Sequence, residues 1–144
     1  YNNEYYILEV IYTQESMEIT EPAVAKMLTK DNVGNANIES NNGGRGFARN
    51  VQKELKELKN THTKVNWFHQ GENKVARILS NSTGVMNNIY FPINWEDRWP
   101  EFAKHLKHYV RTGKNEHDDA EDCLTGVYEH PRPNTIQFGY NNIM

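Results

Sequence analysis

The chain has 144 residues, a formal net charge of −3, 37% hydrophobic and 24% charged residues, and one cysteine. That length supports a single domain with its own core, and no apolar run approaches the roughly 18 residues a membrane span needs. A lone Cys123 excludes an intramolecular disulfide, and the acidic balance excludes a uniformly basic nucleic-acid binder, while leaving room for an enzyme that concentrates acid in one cleft.

Tyr5 to Tyr12 is β-branched and aromatic on both faces, which predicts a central strand directly after the Asn2-Asn3 turn signal. Tyr1 is not an initiator methionine, and with a strand so close to it the chain is expected to be a piece of a longer protein. No basic stretch followed by an apolar one opens it, so a reducing, intracellular setting is expected. Thr20 offers an N-cap and Pro22 an early helical position before Val24, Met27 and Leu28. Asn35 to Glu39 predicts a short strand with Glu39 at its carboxyl end. The turn-rich Ser40 to Gly46 follows, then a helix with Phe47, Val51, Leu55 and Leu58 on one face. Val65 to His69 predicts another strand, Asn73 to Ser80 a helix, and Ile89 to Ile93 a short extended piece. Trp99, Phe102, Leu106, Tyr109 and Val110 mark an amphipathic helix stopped by Gly113. A last helix begins in the acidic segment from Asn115 to Asp122 and is ended by Pro131 and Pro133, leaving 131–144 as a polar tail. Alternating strands and helices give the α/β class, with a sheet covered on both faces.

Chemistry concentrates at two places. Residues 115 to 122 carry five carboxylates and one histidine. Like charges so close raise one another's pKa or recruit a cation, and hard oxygen donors suit Mg²⁺ or Mn²⁺ better than Zn²⁺. On a helix Asp118 and Asp122, or Asp119 and Asp122, can present two carboxylates to one site, whereas Glu121 points elsewhere. An acidic first turn also complements the helix macrodipole, but five acids exceed that need. Glu39, at a strand end, is the second type of carboxylate that a two-metal nuclease requires. Arg45 and Arg49, one helical turn apart, and Lys74 with Arg77 are candidates for DNA phosphates, against the blander alternative of solvated helix faces. The glycines of Ser40 to Gly46 match neither nucleotide-binding spacing. The histidines, with His105 and His108 placed on an exposed helix face and His130 beyond it, lack zinc-ligand spacing, and Cys123 beside Leu124 reads as buried filler.

Asn37-Ile38-Glu39-Ser40-Asn41-Asn42-Gly43-Gly44-Arg45-Gly46-Phe47-Ala48, Asn73-Lys74-Val75-Ala76-Arg77-Ile78, Phe91-Pro92 and His117-Asp118-Asp119-Ala120-Glu121-Asp122 together resemble the C-terminal nuclease domain of tailed-phage terminase large subunits. The resemblance implies a ribonuclease H-like fold with a central mixed sheet flanked by helices, occupying 1–130. It implies cleavage of concatemeric double-stranded DNA during head packaging, with two divalent metals. Carried over by position, Glu39 is the carboxylate on the central strand. Asp118, Asp119 and Asp122 form the C-terminal acidic motif, with Asp119 and Asp122 ranked above Asp118. The family's first catalytic aspartate lies on an opening strand to which nothing here corresponds; Glu4, Glu9 and Asp31 fall on the wrong elements. The first strand is therefore expected to be missing and this piece, by itself, to be inactive. One metal would activate water and the other stabilise the leaving 3′ oxygen. The ATPase domain, the small terminase subunit and the portal are the implied partners, in the cytoplasm of an infected or lysogenic bacterial host. The competing expectations are a catalytically silent DNA-binding or docking module and a resolvase- or transposase-like relative on the same fold.

Overall fold

A computed structural model describes residues 4–112, 114–129 and 135–138. In chain order the elements are β1 (Tyr5–Tyr6), α1 (Met17–Lys30), β2 (Asn35–Glu39), α2 (Gly44–Glu57), β3 (Lys64–Phe68), α3 (Lys74–Asn88), β4 (Ile89–Tyr90), α4 (Trp95–Arg98), α5 (Pro100–His108), α6 (Asp119–Glu129) and β5 (Thr135–Phe138), with a 3₁₀ turn at Asn41–Gly43 before α2. They divide between two compact units: described residues of Tyr1–Tyr12 and Glu72–Pro131 form one, and those of Thr13–Gly71 and Arg132–Met144 the other.

In the second of these units β2 is the middle strand of a three-stranded parallel sheet ordered β3-β2-β5. Ala36 and Ile38 of β2 are fully buried, together with Val24 and Leu28 of α1 and Phe47 and Val51 of α2. Each large side chain removed from water in this way stabilises the unit by about 1.5–3 kcal/mol. Asn60 ties the underside. Its amide donates to Thr29 Oγ1 (2.9 Å) and Thr63 Oγ1 (2.8 Å), and its carbonyl oxygen accepts from the N–H groups of His62 and Thr63.

In the other unit β1 pairs in parallel with β4, and Ile89, Trp99, Phe102, Ala120 and Leu124 form the core, flanked by Tyr5, Tyr12, Phe91 and Trp95. Helices α3 and α6 lie against each other. Their approach is close at Gly84, where an added Cβ would overlap Cζ, Oη and Cε1 of the Tyr128 ring. That ring in turn packs edge-on against Tyr5, with centroids 6.4 Å apart.

Several expectations from the sequence need correction. Only Tyr5 and Tyr6 of the predicted strand 5–12 join a ladder; Leu8 is 73% exposed, so the apolar run is not a doubly covered central strand. The described strands form two small, wholly parallel sheets where one mixed sheet was expected. Helix α1 starts three residues before Thr20, whose hydroxyl bonds back to the Ser16 carbonyl instead of capping. The helix expected over 73–80 continues to Asn88, its polar second half held by packing on α6. The amphipathic helix expected from Trp99 is α5, but it ends at His108, so Tyr109 and Val110 lie beyond it; the short α4 before it was not expected, and Trp99 between the two is held out of helical geometry as the residue before a proline. The expected polar tail 131–144 contains β5, which pairs with β2. Gly113, Pro131 and Pro133, expected as helix stops, lie outside the described residues, as does His130.

Candidate functional site

Glu39 ends β2 and is half-buried. The backbone then turns sharply. Asn42 and Gly43 adopt positive φ (49° and 97°), a conformation that glycine accepts without a Cβ penalty, and α2 starts immediately at Gly44. The turn is stapled to the exit of β3. The N–H and hydroxyl of Ser40 both donate to the Phe68 carbonyl (2.8 and 2.9 Å), and the Asn41 amide donates to the Gln70 carbonyl (2.7 Å). This fixes Glu39 and the start of α2 as one rigid corner. Arg45 and Arg49 are exposed on α2, and the Arg45 guanidinium lies 6.0 Å from the Trp67 ring centroid.

The acidic segment lies in the other unit. Asp118 caps α6 with its backbone, its carbonyl accepting the Asp122 N–H at 3.0 Å. Opposite stands the first turn of α3, fixed by the Asn73 side chain, which accepts the Ala76 N–H at 3.0 Å. Lys74, the first residue of α3, donates from Nζ to Asp118 Oδ1 and Asp119 Oδ1, both at 2.8 Å, and lies 3.7 Å from Asp122 Oδ2. One turn later Arg77, only 5% exposed, forks between two acids: Nη1 donates to Asp122 Oδ1 and Nη2 to Glu129 Oε2, each at 2.7 Å. The Asn81 amide donates to the same Glu129 (3.1 Å).

Burial opposes the charge on Lys74, yet the bonds to Asp118 and Asp119 outweigh it and hold its ammonium pKa well above the ordinary value. Burial raises the pKa of Asp122 in spite of both cations. Glu121 is different. Burial, reinforced by Asp118 and Asp119, pushes its carboxyl up to about 7, and among the described residues neither of its oxygens has a hydrogen-bond partner. Tyr12, its pKa driven up to about 12 by burial and by Asp119 and Glu121, shares a hydrogen bond between its hydroxyl and His105 Nδ1 (2.6 Å). His105 is half-buried and stacks on His117 with centroids 4.2 Å apart, so it does not sit on an exposed face as expected.

The structure therefore brings Asp118, Asp119 and Asp122 together, as their spacing predicts. It places Glu39 in the other unit, and Cys123 is half-buried. Lys74 and Arg77 differ from expectation: both are spent on aspartates, and Arg77 is too enclosed to greet a phosphate. The ion pairs were readable in part, since Lys74/Arg77 and Asp119/Asp122 are both spaced by three and form complementary helical faces. Glu129 and the Tyr12–His105–His117 contacts had no such signal. As a divalent-cation site, the three aspartates offer the right hard oxygens, directed at one point, but a protonated amine stands at that point. Among the described residues no group of three or more His, Cys, Asp or Glu side chains is arranged to hold a metal ion. No helix among them is long and apolar enough to cross a membrane.

A family model described as "Terminase Bacteriophage T7, Ribonuclease H-like domain" matches residues 1–90, a span that includes Glu39, Arg45, Arg49, Lys74 and Arg77 and stops short of Asp118. No curated protein and no solved structure matches the chain.

Proposed function

The chain belongs to the ribonuclease H-like terminase family typified by bacteriophage T7, and we propose that it is the endonuclease domain of a phage DNA-packaging terminase, hydrolysing phosphodiesters of concatemeric double-stranded DNA with two Mg²⁺ or Mn²⁺ ions. Beyond family membership, one observation supports this most: Asp118, Asp119 and Asp122 gather three carboxylates around the Lys74 ammonium at the start of α6. Bound divalent ions supply Lewis acidity for an attacking water and for the leaving 3′ oxygen. Glu39, Asp119 and Asp122 are the catalytic acids of this proposal, with Asp118 as a further ligand. Arg77, anchored by Glu129, aims the Asp122 carboxylate. Arg45 and Arg49, exposed on α2, take DNA phosphates, and cleavage is largely tolerant of sequence, since none of these elements is a major-groove reader. The ATPase domain, the small terminase subunit and the portal are its partners, in the cytoplasm of the bacterial host.

Purified terminase carrying this domain should nick plasmid only with Mg²⁺ or Mn²⁺. Glu39→Ala should abolish nicking while circular dichroism stays unchanged; continued cutting by that variant excludes the assignment.

A catalytically silent DNA-binding or docking module is favoured by a different observation: Lys74 and Arg77 already neutralise much of the acidic face. Calorimetric titration with Mn²⁺ separates the two, because a docking surface gives no stoichiometric binding.

A further inference from the structure

We propose that the exposed edge where α2 meets β3 is a second nucleic-acid site, which binds an unpaired DNA strand by stacking a base on Trp67 and pairing phosphates with Arg45, Arg49, Lys53 and Lys56. The inference rests on the reading above that Arg45 and Arg49 take DNA phosphates, and not on the cleavage chemistry; it adds the aromatic ring and the form of DNA that the ring selects.

At about 100° per residue, Arg45, Arg49, Lys53 and Lys56 fall within an arc of about 80° on α2, and all four are exposed. The acids of that helix, Glu54 and Glu57, lie outside the arc. Among the described residues no ion pair or side-chain hydrogen bond engages the four, whereas Lys30, Lys74, Arg77, Arg98 and Lys107 each reach an acid. Like charges at i and i+4, as in Arg45 with Arg49 and Arg49 with Lys53, destabilise a helix, and an anion laid along the row relieves that repulsion. In a chain of net charge −3 such a row is not a general property of the surface. Trp67 stands at one end of it, 41% exposed, with the Arg45 guanidinium 6.0 Å from its ring centroid. Trp67 pairs with Ile38 and Phe68 with Glu39, so strand alternation puts the indole on the opposite face of the sheet from Glu39. A lone exposed tryptophan would be ordinary. Beside a row of unpaired cations it completes the arrangement that holds single strands, in which the backbone follows the charges and a base lies on the ring. A base inside a duplex has both faces covered by its neighbours, so the indole can stack only on an unpaired one. An acidic peptide would satisfy the cations and leave the ring idle.

The test titrates the full chain, in EDTA so that nothing is cut, with an oligothymidylate, with an abasic oligomer of the same length and with a duplex, following tryptophan fluorescence and the anisotropy of labelled DNA. The oligothymidylate should quench the fluorescence and bind at least about fivefold more tightly than the abasic oligomer, the lower end of what one stacked base contributes. Trp67→Ala should erase that difference and leave the salt dependence unchanged. Lys53→Ala should keep the difference and lower the slope of log affinity against log salt by about 0.7, one phosphate contact on a single strand. Equal binding of the oligothymidylate and the abasic oligomer overturns the proposal and leaves the phosphate reading of Arg45 and Arg49 standing. No binding of any of the three overturns both. Tighter binding of polyglutamate than of the oligothymidylate assigns the row to an acidic protein and overturns the proposal. Should Trp67→Ala fail to fold, the comparison of the two oligomers on the wild-type chain still decides.

Discussion

Glu121 sits one residue from the site-forming Asp122 and does the opposite job. It turns into the interior, 7% exposed, with no hydrogen-bond partner for either oxygen among the described residues and a carboxyl that burial pushes up to about 7. A buried acid with a raised pKa favours the fold while it is protonated. Its contribution is complete below the ordinary carboxylate range and is lost as pH rises through about 7. The chain should therefore lose roughly 3 kcal/mol of stability between pH 5 and pH 8. Glu121→Gln should flatten that slope in denaturant titrations, leaving the part owed to Asp122, whose pKa burial also raises; equal slopes in both proteins would rule the explanation out. From sequence alone Glu121 could be separated from Asp119 and Asp122 by helical phase. Its burial could not be foreseen, because that depends on where the helix packs.

At the scale of elements, helix phase and strand pattern were legible wherever a segment decides its own structure. Strand β2 falls at Asn35–Glu39 as its residues predict, and α2, β3 and the acidic start of α6 come within a few residues. The failures share a cause. The second half of α3, Ser80-Asn81-Ser82-Thr83-Gly84, has weak helical propensity and is helical because α6 lies on it. Gly84 is the contact that permits this. Gly84→Ala should destabilise the chain by on the order of 1 kcal/mol, the overlap with the Tyr128 ring exceeding the helix-propensity gain. In a Tyr128→Ala background the same change should become stabilising, by up to about 1 kcal/mol. Thermal melts of the four proteins settle it; no change of sign would mean that Tyr128 is not what Gly84 accommodates.

For the whole molecule, Glu39 belongs to one compact unit and Asp119 to the other. Acids that serve a single step lose activity non-additively. Glu39→Ala, Asp119→Ala and the double variant should therefore show the same residual nicking, and independent, multiplying losses would mean that the two act separately. Little of this scale could be read from the residues, because parallel pairing joins segments far apart and leaves no local mark. Asn35 pairs with both Lys64 and Thr135, and Tyr5 with Ile89.

Those same pairings bear on how the protein comes into being. During synthesis β1 emerges well before its ladder partner β4, and β2, which can pair with β3 early, gains its other neighbour only when β5 follows. Neither unit can close early, so loop-closure entropy is met late and over long separations, which makes folding slow and leaves unpaired strand edges open to wrong partners in the meantime.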